Sequence, residues 1–178
     1  MRVYSNLEHI EKNLESHINA PKFMNWIDKI IELLSFLTII IVWIMVFIKH
    51  KEFPDMIPTH FDLKGKADLV GSKDNLLTLQ SVLTFLFIGM TLLTYFPHKL
   101  SYAVQITKRN VKLQYRLAVR LIRVLKLVLV FVFGLLFFKT IQNAQGYDSE
   151  FRIFFLPYFI VSIIFIVAIY LIKSIRNK

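Results

Sequence analysis

Apolar residues gather along the chain into four runs, each close to the length of a membrane-crossing helix, with polar segments between them. The first expected span covers residues 30–48, the second 76–96, the third 121–138 and the fourth 151–172. A helix needs about 20 apolar residues to cross the roughly 30 Å of hydrocarbon in a bilayer. Once these runs are set aside, no polar stretch is long enough for a separate domain. The pattern therefore predicts an all-α integral membrane protein with one four-span membrane domain over residues 30–178. Pro157, in the first third of the fourth run, removes one helical hydrogen bond and predicts a kink.

Ahead of the first run, residues 5–20 have the pattern of an amphipathic helix. Ser5 and Glu8 fit a capping box, and Leu7, Ile10, Leu14 and Ile18 fall close to one face. Pro21 interrupts that helix, and Phe23, Trp26, Asp28 and Lys29 form the aromatic and charged mixture suited to lipid headgroups. Residues 1–29 are thus expected to form an interfacial segment. Glu8, Glu11, Glu15 and Asp28 leave no continuous apolar core of the kind a cleaved signal peptide has, so the first run is expected to stay in the mature chain.

Composition supports the membrane reading: 56% of residues are hydrophobic, against roughly 45–50% in soluble domains. The formal charge of +10 is unevenly placed. Fifteen of the Lys and Arg residues lie in the N-terminal segment, the second loop with the start of the third span, and the C-terminus; seven lie in the first and third loops and their flanks. Positive charge marks the cytoplasmic side, so both termini and the second loop are expected there. The chain has no cysteine, which excludes disulfides, thiolate metal sites and a cysteine nucleophile. No cofactor is expected.

The first loop, residues 49–75, then faces outward and carries the densest set of structure-forming residues, FPDMIPTHFDLKGKADLVGSKDN. Pro54 and Pro58 fix backbone angles, Ile57 and Phe61 need a place to bury, and Gly65 and Gly71 permit turns. Asp55, Asp62 and Asp68 can bond backbone N–H groups and close those turns, and Lys73 is expected to pair with one of these aspartates or to anchor the next helix. His60 stands between Asp55 and Asp62. Three readings are open for it: hydrogen bonds that hold turns together, recognition of a partner or peptide, and metal or acid–base chemistry. One histidine with carboxylates falls short of the three or four ligands of a zinc site, so no metal is expected.

The run PDMIPTHFDLKGKADLVGSK resembles the signature of the DUF1648 membrane proteins, through Pro54, Asp55, Ile57, Pro58, His60, Phe61, Gly65, Asp68, Gly71, Ser72 and Lys73. Asp62 stands where that signature commonly has Asn, and Leu69 where it has Gly. The resemblance covers about the first half of the chain and includes the SdpI-like family. It implies a bacterial protein of the cytoplasmic (inner) membrane. It further implies immunity to a secreted peptide toxin and, in some members, signalling to a cytoplasmic repressor. On that basis Asp55, Pro58, His60, Phe61, Asp62, Gly65, Asp68 and Lys73 are the candidate contacts for a secreted peptide or envelope component.

A second candidate surface lies on the cytoplasmic side. Arg116, Arg120 and Arg123 recur at helical spacing after Lys112, so they share a face at the entry to the third span. Contact with anionic lipid and docking of a cytoplasmic protein are the two readings. Direct nucleic-acid binding is not expected, because no nucleic-acid-binding fold presents the charge. Within the spans the polar residues are mild. Gln80, Thr84 and Thr91 recur along the second span and either line a groove or bond across helices, while Gly89 and Gly134 allow close helix contact. A small transporter, or a structural subunit of a membrane complex, is the alternative to recognition. No GxSxG, HExxH or nucleotide-binding loop occurs, and an enzyme is not expected.

Overall fold

The computed structural model describes residues 24–61, 67–144 and 155–177. The amphipathic helix expected over residues 5–20, and the candidate contacts Asp62 and Gly65, lie outside the described residues.

The elements are α1 (Trp26–Glu52), β1 (Met56–Phe61), β2 (Ala67–Ser72), α2 (Asp74–Leu93), a 3-10 turn (Pro97–Lys99), α3 (Val111–Ala144) and α4 (Phe155–Arg176). Four helices among them are long and apolar enough to cross a membrane. Each apolar run thus has its helix, with boundaries that differ from the expected ones. α1 begins at Trp26, so Trp26–Lys29 belong to the first helix and not to a separate interfacial segment. The cause is local: Asn25 and Asp28 form a capping box, with the Asn25 N–H donating to Asp28 Oδ2 at 3.0 Å. α3 has 34 residues, about 50 Å, and so extends beyond the hydrocarbon. Thr107 and Asn110 exchange bonds just ahead of its start, Thr107 Oγ1 accepting from the Asn110 N–H at 3.3 Å and Asn110 Oδ1 accepting from the Thr107 N–H at 2.8 Å. Pro157 falls in the first turn of α4 as described; the carbonyl four residues before it, on which the expected kink depends, lies outside the described residues.

α1, α2 and α3 pack together through two apolar layers. Ile39, Leu83, Phe87 and Val130 form one; Val42, Val46, Phe53, Ile57, Leu76, Phe137 and Ile141 form the other. Gly134 lets α3 approach α1 closely, since a methyl added there would meet Val42 Cγ2 at 3.3 Å. Gly89 does not play the matching role: a methyl there would meet nothing within 4 Å among the described residues.

α4 lies against α3. Its last turn is tied by the fully buried Gln114, whose Nε2 donates to the Ser174 and Asn177 carbonyls at 3.0 Å each, while its Oε1 accepts from Ser174 Oγ at 2.7 Å. These bonds satisfy carbonyls that a helix C-terminus leaves free. At the same end of the bundle, Tyr102 stacks on Tyr115 with ring centroids 5.4 Å apart and donates to the Pro97 carbonyl at 2.6 Å. Burial, then the neighbouring phenols of Tyr115 and Tyr170, push the Tyr102 phenol well above its ordinary pKa, so it remains a donor.

Candidate functional site

The loop between α1 and α2 folds as an antiparallel β-hairpin, which the sequence pattern did not predict. Met56 pairs with Ser72, Ile57 with Gly71, Pro58 with Val70, His60 with Leu69 and Phe61 with Ala67. The register slips between Pro58 and His60 and again between His60 and Phe61. Pro58 has no N–H to give to the ladder, and irregular pairing is where a strand tolerates proline.

Polar contacts close the base of the hairpin. The Lys73 N–H donates to the Asp55 carbonyl at 3.0 Å, and Lys73 Nζ lies 3.0 Å from Asp55 Oδ1 and 3.4 Å from the Phe53 carbonyl oxygen. The expected pairing of Lys73 with an aspartate of the loop is present. His50 Nε2 and Asp74 Oδ1, 2.9 Å apart, link the end of α1 to the start of α2. An apolar anchor also holds the hairpin: Ile57 is 0% exposed, within the layer contributed by α1, α2 and α3.

The outer parts of the hairpin present a mixed surface. His60 Nδ1 and Asp68 Oδ1 lie 2.6 Å apart and both side chains are exposed. Asp68 thus bonds an imidazole; the turn backbone that the sequence suggested for it lies outside the described residues. Met56, Leu69 and Val70 are all more than half exposed. Among the described residues no group of three or more His, Cys, Asp and Glu side chains forms that could hold a metal ion.

Gly71 sits within β2 opposite Ile57 and not in a turn. A Cβ there would come within 3.1 Å of the Thr59 side chain and 2.9 Å of Asn75 Nδ2. The glycine serves close approach between the strand and the start of α2. Gly71→Val should loosen the hairpin by about 1–3 kcal/mol through overpacking. Amide hydrogen exchange over residues 56–61 and 67–72 reads this directly, and unchanged protection would show that Thr59 and Asn75 give way freely.

At the opposite end of the bundle, the candidate cations of α3 divide into two groups. Lys112 and Arg116 are exposed. Arg120 and Arg123 instead engage α1. Arg120 Nε and Nη2 donate to Asp28 Oδ1 and Oδ2 at 2.8 and 3.0 Å, a bidentate pair. Arg123 is buried, its Nε 3.7 Å from Glu32 Oε2, beyond hydrogen-bond reach. Lys126 is fully buried. Its Nζ donates to Glu32 Oε1 and, at 2.8 Å, to Thr91 Oγ1 of α2, and lies 4.5 Å from the centroid of the Phe87 ring. Among the described residues three cations thus meet two carboxylates, and Glu32 Oε2 and Arg123 Nε have no hydrogen-bond partner.

Thr91 thereby bonds across helices, as does Thr84, whose Oγ1 accepts from Trp43 Nε1 at 2.9 Å. Gln80 is buried, and its Nε2 has no partner among the described residues. Between these two polar levels lies the apolar layer of Ile39, Leu83, Phe87 and Val130, which separates them.

The chain is a multi-pass membrane protein in which α1, the hairpin and α2 form one continuous helix–hairpin–helix unit. Residues 37–92 match the family described as Domain of unknown function (DUF1648). The match runs from the middle of α1 through the hairpin to the last turn of α2, so the unit it defines is the one the hairpin crowns. Neither the curated proteins nor the solved structures give a match.

Proposed function

We propose that this protein is a membrane recognition protein whose β-hairpin binds a secreted peptide or an envelope component outside a bacterial cytoplasmic membrane. The observation that carries the reading is the hairpin itself. It is fixed by the buried Ile57 and the Lys73–Asp55 contact, yet it displays Met56, Leu69 and Val70 beside the His60–Asp68 pair. Large apolar side chains left exposed on both faces of an ordered hairpin are available to a partner, and pre-ordering a binding element lowers the cost of binding. Both strands also keep one edge outside the two-stranded sheet, the feature extended peptides use when they add a strand. The excess of Lys and Arg in the termini and the second loop supports a cytoplasmic position for those segments and an outer one for the hairpin. The likeness to SdpI-like proteins gives the role a form, immunity to or sensing of a peptide toxin. Transport ranks behind recognition because the apolar layer separates the polar level of Gln80 and Thr84 from that of Thr91 and Lys126.

The test is a pull-down from native membranes with a photo-crosslinking residue at Leu69. A peptide or envelope protein should crosslink to the otherwise wild-type chain, and its yield should fall at least severalfold in a folded His60→Ala/Asp68→Ala variant. Identical partners in both, or crosslinks to lipid alone, would remove the recognition reading.

A further inference from the structure

The flank of the bundle between α3 and α4 carries a groove of about 200 Å³, away from the hairpin, that shares only Arg120 with the ion-pair cluster. Leu121 and Val124 of α3 and Ile166 of α4 line its apolar part. Arg120, Lys173 and Tyr170 also line it, and the lining contains no carboxylate. A second recess of about 410 Å³, lined in part by Ile169, Lys173 and Arg176, adjoins it through Lys173.

We propose that this groove is a binding site for an anionic phospholipid. Its phosphate would meet Arg120 and Lys173, and an acyl chain would lie along Leu121, Val124 and Ile166.

The argument rests first on where the groove is. α3 and α4 are both spanning helices, so whatever fills an apolar groove between their outer faces at bilayer depth is lipid or another helix. Charge decides between them and selects the lipid. A partner helix at that depth would be mostly apolar, which leaves Lys173 and Arg176 unanswered. A phosphate answers both charge and geometry, and basic pockets between membrane helices are recurrent headgroup sites.

The ion-pair cluster adds a second, independent observation. Asp28 engages the Nε and Nη2 atoms of Arg120, so Nη1 takes no part in that pair. Among the described residues the cluster that includes Arg120 holds three cations against two carboxylates. Arg120 therefore faces the groove with its position fixed by Asp28 and with the cluster's excess charge positive. Fixing a guanidinium in advance reduces the entropy lost when it binds a phosphate. Tyr170, apolar in its ring and polar at its hydroxyl, suits the boundary between headgroup and chain.

The experiment places the purified full chain in nanodiscs of phosphatidylcholine with a minor fraction of phosphatidylglycerol. Lipid retained after transfer to the gas phase is counted by native mass spectrometry. Wild type should retain phosphatidylglycerol preferentially, at about one per chain. Lys173→Gln leaves the Asp28–Arg120 pair in place and should lower that retention about fivefold, the factor expected for one cation near an anionic headgroup. Ile166→Trp fills the apolar part and should lower retention without changing charge. Lys112→Gln removes an exposed cation of α3 that does not line the groove and should leave retention unchanged. Equal retention of the two lipids by wild type overturns the site. So does loss in Lys173→Gln with none in Ile166→Trp, which would leave only a headgroup contact without a groove. An equal loss in Lys112→Gln would show diffuse attraction and overturn it as well.

Discussion

Replacing Glu32 by Leu should destabilise the protein far more than replacing Lys126 by Met, although the two side chains form one pair. In the fold, Glu32 Oε1 accepts from the fully buried Lys126 Nζ, and Glu32 Oε2 is the carboxylate oxygen nearest the buried Arg123, at 3.7 Å. Removing the carboxylate strands two buried cations and takes the cluster from three cations over two acids to three over one. Leaving an uncompensated buried charge costs about 3–5 kcal/mol. For a chain of this size that corresponds to a fall of roughly 6–20 °C in melting midpoint. Lys126→Met has the opposite charge logic. It leaves Arg120 and Arg123 over Asp28 and Glu32, a balanced set, and removes only the hydrogen bonds to Glu32 and Thr91. Its cost should be nearer 1–3 kcal/mol, the usual penalty for a lost buried partner. Adding Lys126→Met to Glu32→Leu should recover part of the loss, since it removes one of the stranded cations. Melting in detergent, followed by far-UV circular dichroism, measures all three variants. Equal shifts in the two single variants would mean that the excess positive charge has no energetic consequence, and the account of the cluster would fail.

The four spanning helices were legible in the sequence because apolar runs of sufficient length have few other uses in a chain this hydrophobic. The loop after the first span was legible as a structured segment, and its likeness to DUF1648 agrees with the match over residues 37–92. Its form was not. Proline at 58 argues against a strand, Gly71 carries the signature of a turn, and Leu69 with Val70 breaks the alternation a half-buried strand shows. The hairpin instead follows from tertiary facts: Ile57 finds a core that three helices supply, and Gly71 makes room for Asn75 and Thr59. The ion-pair cluster was missed for a different reason. Asp28 and Arg120 stand 92 positions apart, and Glu32 and Lys126 stand 94 apart, so no local pattern joins them. One signal was present. Asp28 and Glu32 share a helix face at the entry to the first span, while Arg120, Arg123 and Lys126 enter the third from the same side. Two acids and three cations at one depth, in a medium that penalises each alone, are expected to meet. Assigning Arg120 and Arg123 wholly to a lipid or partner surface overlooked this pairing.

Ile57→Ala should release the hairpin while leaving the helices assembled, and this separates the anchor from the polar contacts at its base. Ile57 is 0% exposed and packs with Val42, Val46, Phe53, Leu76, Phe137 and Ile141, residues drawn from α1, its C-terminal cap, α2 and α3. Truncating a buried isoleucine to alanine costs about 2–5 kcal/mol. Most of that cost should appear locally, because among the described side chains of β1 Ile57 is the one that enters the layer, and local opening draws on the contacts of the opening element. The expected result is an increase of about a hundredfold in amide exchange over residues 56–61 and 67–72, with much less change in α3. Met56→Ala, one residue earlier on an exposed side chain, should change stability by no more than about 0.5 kcal/mol. If exchange over the hairpin is unchanged in Ile57→Ala, the Lys73–Asp55 contact and the strand pairing suffice to hold it, and the buried anchor is not what orders the surface. If exchange rises as expected, the same variant becomes a probe of recognition. A hairpin that keeps every exposed residue but is no longer fixed should bind its partner more weakly, because the ordering that Ile57 supplies would then have to be met at the moment of binding.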